Sequence, residues 1–309
     1  MAVSSLTAAP ILRGEEVSEV DNHASFGSGD RTPHPKPPPF IMHRVPIDRI
    51  TMGYAVTSVI QALQDRSGRA PLLIMGPNAQ IVTLAAANER FAEALRAADL
   101  SVPDGISVVL ASRLLGCPIP ERVTGGDLME QLCAECSKHG HSVFFLGGLR
   151  GAATETASRF TQRYPGLKIA GTYCPPLGFE NDAMESDRVR QLIAVAAPDL
   201  LCVAFGAPKQ EIWMHDNCSS LPIGAAIAVG AALDTQAGLR ERAPRWTHQI
   251  GLEWLYRLAR EPRRLWRRYL FGNSRFVFLV MRQWISTCTG PGASARRVAS
   301  SSDSLQGQS

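Results

Sequence analysis

The stretch Leu100-Ser101-Val102-Pro103-Asp104-Gly105-Ile106 sets the reading of the whole chain. A short apolar run ends in Pro-Asp-Gly, and a new apolar-periodic segment, Ile106 to Leu115, begins at once. Pro103 lacks an N–H and Gly105 takes backbone angles barred to other residues, so the run reads as a strand turning sharply into a helix. The same order stands before it, in Pro71 to Met75, Gly76-Pro77-Asn78 and the helical Gln80 to Ala97. It stands again after it, in Val143-Phe144-Phe145-Leu146, the turn Gly147-Gly148-Leu149-Arg150-Gly151 and a helix to Arg163. Further runs at Lys168 to Tyr173, Leu200 to Phe205 and Ala225 to Val229 are separated by helical stretches, and Met52 to Leu63 has helical spacing. Short β-branched or aromatic runs alternating with helices predict an α/β fold, a parallel sheet with helices on both faces.

In a Rossmann-like sheet of this kind ligands bind off the carboxyl ends of the strands, so the turns carry the candidate chemistry. Asp104 places a carboxylate at such a mouth, the position of a general base, although a capping or turn Asp uses the same residues. Gly147 and Gly148 open a turn whose N–H groups suit a phosphate at a helix N-terminus; a tight connection without a ligand fits equally well. The turn is not G-x-G-x-x-G and no acid follows about 20 residues later at a strand end, which disfavours a dinucleotide and an NAD(P) oxidoreductase. Gly206-Ala207-Pro208-Lys209-Gln210-Glu211 is again strand, turn and helix, where Lys209 and Gln210 suit a diphosphate and a sugar or base, or simply a solvated helix start. Gly230 sits in a small-residue turn that permits close backbone approach, with Asp234 after it. With the amide of Asn78 and the cation of Arg122, these turns are expected to converge on one edge of one sheet.

Composition sets the frame around that domain. The 309 residues are 45% hydrophobic, enough for a sizeable core. Residues 1–43 mix Pro, Ser, Gly and charge and read as a disordered arm, 44–240 as the α/β domain, 241–285 as a basic appendage and 286–309 as a disordered polar tail. The start carries no secretory signal pattern, and seven cysteines, an odd number, suit a reducing cytoplasmic compartment. Cys133 and Cys136 form a C-x-x-C without a second pair, and read as helix-face thiols. No Asp-x-Asp stands at a strand end and the histidines lack ligand spacing, so neither a metal nor a cofactor is indicated.

The net charge of +4 hides an asymmetry: Arg240 to Trp284 holds eleven arginines against three glutamates, a local excess of +8. At 3.6 residues per turn Arg263, Arg264, Arg267 and Arg268 share one face, and Leu265, Trp266, Tyr269 and Leu270 the other, the pattern of a helix on an anionic membrane surface. Four cations at about 1 kcal/mol each give only about millimolar binding, so the apolar face, at roughly 1.5–3 kcal/mol per large side chain, must supply the rest. Nucleic acid is disfavoured, because the aromatics lie opposite the arginines rather than among them. A helix docked on its own domain with a solvated basic face remains as an alternative.

Five ordered groups of residues resemble the WecG/TagA/CpsF glycosyltransferases. They are Val102-Pro-Asp-Gly-Ile-Ser-Val-Val, Pro120-Glu-Arg-Val-Thr-Gly-Gly-Asp127, Phe145-Leu-Gly-Gly-Leu-Arg-Gly151, Gly206-Ala-Pro-Lys-Gln-Glu211, and Arg242-Ala-Pro-Arg-Trp246 with Gly251-Leu-Glu-Trp-Leu-Tyr-Arg257. The resemblance implies an inverting transfer of N-acetylmannosamine, or another hexose, from a UDP-sugar to a sugar on a polyprenyl diphosphate, at the inner face of the membrane, in cell-surface or exopolysaccharide synthesis. It implies Asp104 as the base, Asn78, Arg122 and Gln210 in the pocket, and an appendage over about 241–271 that brings arginines to the site. The chain departs from the family at Gly76, where a threonine is usual. A nucleotide-binding or scaffolding module without chemistry is the alternative reading, and a homo-oligomer is left open.

Overall fold

A computed structural model describes residues 36–65, 69–241 and 262–289, the last with side chains from 274 to 287. The chain opens with a two-stranded antiparallel hairpin, β1 (Phe40–Met42) and β2 (Val45–Ile47). Then come α1 (Met52–Gln64), β3 (Leu72–Met75), α2 (Ala79–Ala85), α3 (Glu89–Arg96), β4 (Leu100–Ser101), α4 (Ile106–Leu114) and α5 (Gly125–His139). The second half runs β5 (Ser142–Gly147), α6 (Ala152–Arg163), β6 (Lys168–Tyr173), α7 (Ala183–Ala196), β7 (Leu200–Ala204), α8 (Lys209–Asn217), β8 (Ala225–Ala228) and α9 (Ala232–Gln236). A helix over Pro262–Thr289, here α10, follows.

β3 to β8 form one six-stranded parallel sheet in the order β4-β3-β8-β7-β5-β6. The expected α/β architecture is therefore present. β7 and β8 are buried along their whole length, as strands covered on both faces must be, and their residues read as unbroken apolar runs. Successive side chains alternate between faces. Phe144, Leu146, Leu201, Val203, Ala226 and Ala228 meet the layer containing α2, α3, α4, α7, α8 and α10; Val143, Phe145, Leu200, Cys202, Ala225 and Ile227 meet α1, α5, α6 and α9.

Three local departures from the sequence reading have physical causes. The helix expected over Gln80–Ala97 is two helices, because the Asn88 side chain accepts from the Phe91 N–H and caps a fresh start. Residues 40–42, within the segment assigned to the arm, form β1, and Phe40 and Met42 are buried in the core. α10 continues past residue 285 to Thr289, and its Phe276, Leu279 and Val280 are buried in the core layer beside α2. The expected aromatic segment Ile250–Leu258 and the arm before residue 36 lie outside the described residues, as do the side chains of Arg263, Arg264, Trp266, Arg267 and Arg268.

Candidate active site

After β5 the chain crosses to β6 on one side, and after β7 it crosses to β8 on the other, so the strand order reverses between these neighbours. A crevice at the carboxyl ends of the strands follows from that reversal. The rim runs from β4 across β3, β8 and β7 to β5, with neighbouring strands about 4.8 Å apart.

At the β4 end, the Asp104 N–H donates to Pro77 O at 3.2 Å, fastening the two turns together. The absence of a side chain at Gly76 allows this: a Cβ there would stand 3.1 Å from Asp104 Cβ and 3.6 Å from Oδ2. Gly105 serves in the same way, its missing Cβ lying 3.0 Å from Asn78 Cβ. The Asp104 carboxyl is thus half-buried directly over the exit of β3. Asn78 Oδ1 accepts from the N–H groups of Gln80 and Ile81 and caps α2. The Val123 N–H donates to Pro103 O at 3.0 Å, which seats half-buried Arg122 beside the same strand end.

At the β7 and β8 exits, one side chain joins two turns. Gln210 Oε1 accepts from the Gly206 N–H and from the Gly230 N–H, each at 3.1 Å. Both glycines have positive φ, 76° and 55°, with nothing within 4 Å of a built Cβ, so they line open space. Gln210 Nε2 donates to Glu211 Oε1 at 2.8 Å, and Glu211 is fully buried. Burial pushes the Glu211 carboxyl above the usual carboxylate range, against the opposing pull of its bonds to Gln210 and to its own backbone. Of the pair Lys209 and Gln210, for which a solvated helix start is the alternative, Gln210 is buried. Lys209 does face outward, where it pairs with Glu180, and that contact holds the Glu180 carboxyl below its usual range.

The glycine turn after β5 is built differently from a phosphate loop. The Gly148 N–H donates to Ala204 O at 2.9 Å and the Leu149 N–H to Asp234 Oδ1 at 2.7 Å, so both donors are taken up within the fold. A Cβ on Gly147 would lie 2.7 Å from Ala204 O, and one on Gly148 3.1 Å from Asp234 Oδ1. Here the glycines serve close packing at the reversal point. Asp234, almost wholly buried, also meets Arg240 Nε at 3.4 Å through Oδ2, and so straps the β5 turn to the end of the α/β domain.

The structure therefore brings Asp104, Asn78 and Arg122 together at one end of the rim, and Gln210 and Gly230 at the adjoining strands. It turns Lys209 outward and uses the Gly148 donor in packing. Sequence reasoning missed the Gln210 clamp, the buried Glu211 and the Asp234 strap; the only signal was a Gln-Glu pair in the first turn of a helix. Cys133 and Cys136 are buried in α5, where burial raises both thiols. Among the described residues no group of three or more His, Cys, Asp or Glu is placed to hold a metal. What the rim can do is take a proton at Asp104 and present a fixed, glycine-lined opening a strand or two away.

Comparison with known proteins agrees in outline. Residues 41–289 match the model of the glycosyl transferase WecG/TagA/CpsF family. A Bacillus spizizenii protein named N-acetylglucosaminyldiphosphoundecaprenol N-acetyl-beta-D-mannosaminyltransferase is 36% identical over 209 residues, 68% of this chain and 78% of the relative. Proteins of the same name from Bacillus subtilis (strain 168) and Staphylococcus aureus (strain MW2) are 32% and 30% identical, covering 67% and 72% of this chain and 77% and 85% of those relatives.

Proposed function

Since the chain belongs to the WecG/TagA/CpsF family and is a glycosyltransferase, we propose that it moves a hexose, N-acetylmannosamine foremost, from UDP to a sugar on a polyprenyl diphosphate. The relatives' names specify that sugar and an N-acetylglucosaminyl diphosphoundecaprenol acceptor. The observation that carries the reading is the rim itself, an acid after β4 and a glycine-lined opening after β7 and β8, on one edge of one sheet. Asp104 takes the proton of the acceptor hydroxyl as its oxygen attacks the anomeric carbon. The bond to UDP breaks on the opposite face, which inverts that carbon. Base assistance of this kind contributes roughly 10²- to 10⁴-fold. Arg122 offsets the charge on the departing diphosphate, and the open space beside Gly206 and Gly230 gives it room.

The experiment is UDP release from a panel of UDP-sugars with a short-chain polyprenyl-diphosphate N-acetylglucosamine. UDP binding without release for every donor would instead support a scaffolding module. Gly76 bears on the same chemistry. Gly76→Ala is expected to lower turnover about tenfold with an unchanged fold, since its Cβ displaces Asp104 by a few tenths of an ångström. Turnover and circular dichroism of the variant check this.

The enzyme works, on this reading, as a peripheral protein at the inner membrane face. No helix among the described residues is long and apolar enough to cross a membrane. α10 instead exposes Val277, Phe278, Met281, Trp284 and Ile285 on the side away from its buried residues, with Arg275 and Arg282 exposed beside them. Together with the arginine run at 263, 264, 267 and 268 read from the sequence, this stripe suits an anionic lipid surface. Cutting the chain after Arg240 would uncover the core residues that α10 covers, so the test keeps the full chain. Serine at all four arginines is expected to weaken flotation with anionic vesicles at least tenfold, from about 1 kcal/mol per charge. Undiminished flotation would remove the basic face from the account.

A further inference from the structure

We propose that Glu211 is a positioning residue: through the Gln210 amide it fixes the exit turns of β7 and β8 in the arrangement that receives the donor's diphosphate. The substrate in this statement rests on the glycosyl-transfer reading; the positioning rests on hydrogen-bond geometry. The N–H groups of Gly206 and Gly230 both reach one atom of the Gln210 side chain at 3.1 Å. A backbone N–H only donates, so that atom is the oxygen and Nε2 must face the other way. There it meets Glu211 Oε1 at 2.8 Å. Gln210 is 5% and Glu211 0% exposed, a depth at which an amide donor without an acceptor is costly.

Glu211 Oε2 has no hydrogen-bond partner among the described residues. Apart from its own backbone, the group that the acid engages through its other oxygen is the Gln210 amide. An apolar residue would pack at this place at lower cost than a half-satisfied carboxyl. Removing the acceptor frees the Gln210 amide to turn, and both glycine N–H groups lose their shared partner. Glu211 touches neither substrate nor reacting atoms; its effect passes through residue 210.

The test uses the full chain with Glu211→Met, which removes the acceptor at similar volume, and Glu211→Gln, which keeps an oxygen there. In the ligand-free protein, amide hydrogen exchange at Gly206 and Gly230 is expected to quicken about tenfold in the Met variant, about one buried hydrogen bond's worth, and to stay unchanged in the Gln variant. The KM for the UDP-sugar is expected to rise about tenfold in the Met variant with kcat within about threefold, and to stay near wild type with Gln. In a Gln210→Ala background, adding Glu211→Met is expected to raise KM no further.

Unchanged exchange in the Met variant, a Gln variant as impaired as Met, or losses that add in the double variant would each overturn the proposal. Should the Met variant not fold, the Gln variant decides: faster exchange at the two glycines refutes it and wild-type exchange upholds it. If exchange responds as expected while no UDP-sugar is turned over by the wild type, the glycosyl-transfer reading falls and the positioning role stands.

Discussion

Replacing Asp104 by Asn is expected to leave the protein folded and to lower sugar transfer by about 10²- to 10⁴-fold, the range that a positioned base contributes. The substitution is nearly isosteric, and two contacts at residue 104, its N–H to Pro77 O and its close approach to Gly76, do not depend on the charge of the side chain. Those persist in the amide. What disappears is the capacity to accept a proton at the moment the acceptor oxygen attacks. A loss confined to kcat, with UDP affinity retained, marks removal of a group that acts in the transition state. Near-full turnover in the Asn variant would remove Asp104 from the role of base.

The largest effect on stability is expected at the reversal point of the sheet. Gly147 has φ of 96°, and a Cβ there would stand 2.7 Å from Ala204 O and 2.9 Å from the ring of Phe205. Ala204 lies on the neighbouring central strand, so the obstacle is backbone in the middle of the sheet and cannot swing aside. Gly147→Ala combines left-handed strain with overlap, together about 3 kcal/mol, a fall in Tm of roughly 6–12 °C for a domain of this size. Gly178→Ala is the control. Gly178 has φ of 85° but nothing within 4 Å of a built Cβ, so strain acts alone and the loss should be about 1 kcal/mol. Thermal melts of the two variants separate overlap from strain, and equal losses would refute the packing account.

The central strands of the main sheet were legible because they are short apolar runs with Gly close behind, and the burial of β7 and β8 on both faces removes the need for alternation. The hairpin was not. Phe40-Ile41-Met42 follows a proline run, and Pro46 interrupts β2, which a two-stranded ribbon tolerates at its edge. The break between α2 and α3 was hidden because apolar spacing continues across Asn88, whose capping bond outweighs it. Asp104 could be found in the sequence, since a turn between strand and helix fixes where its carboxylate stands. The clamp at Gln210 could not, because it depends on two glycines, one four residues earlier and the other twenty later, meeting a single oxygen. The Gly147-Gly148 turn looked like a phosphate loop for a related reason. Glycine is required wherever backbone approaches backbone, and sequence does not say whether the approaching group is a ligand or the next strand.

α10 packs beside α2, whose first turn is capped by Asn78 at the edge of the rim. A surface that seats α10 would consequently act as a gauge, setting how high the opening stands above the lipid heads and which way it is turned. A long-chain carrier and a short soluble analogue would then differ in turnover even with identical sugars, because only the first is delivered at the gauged height.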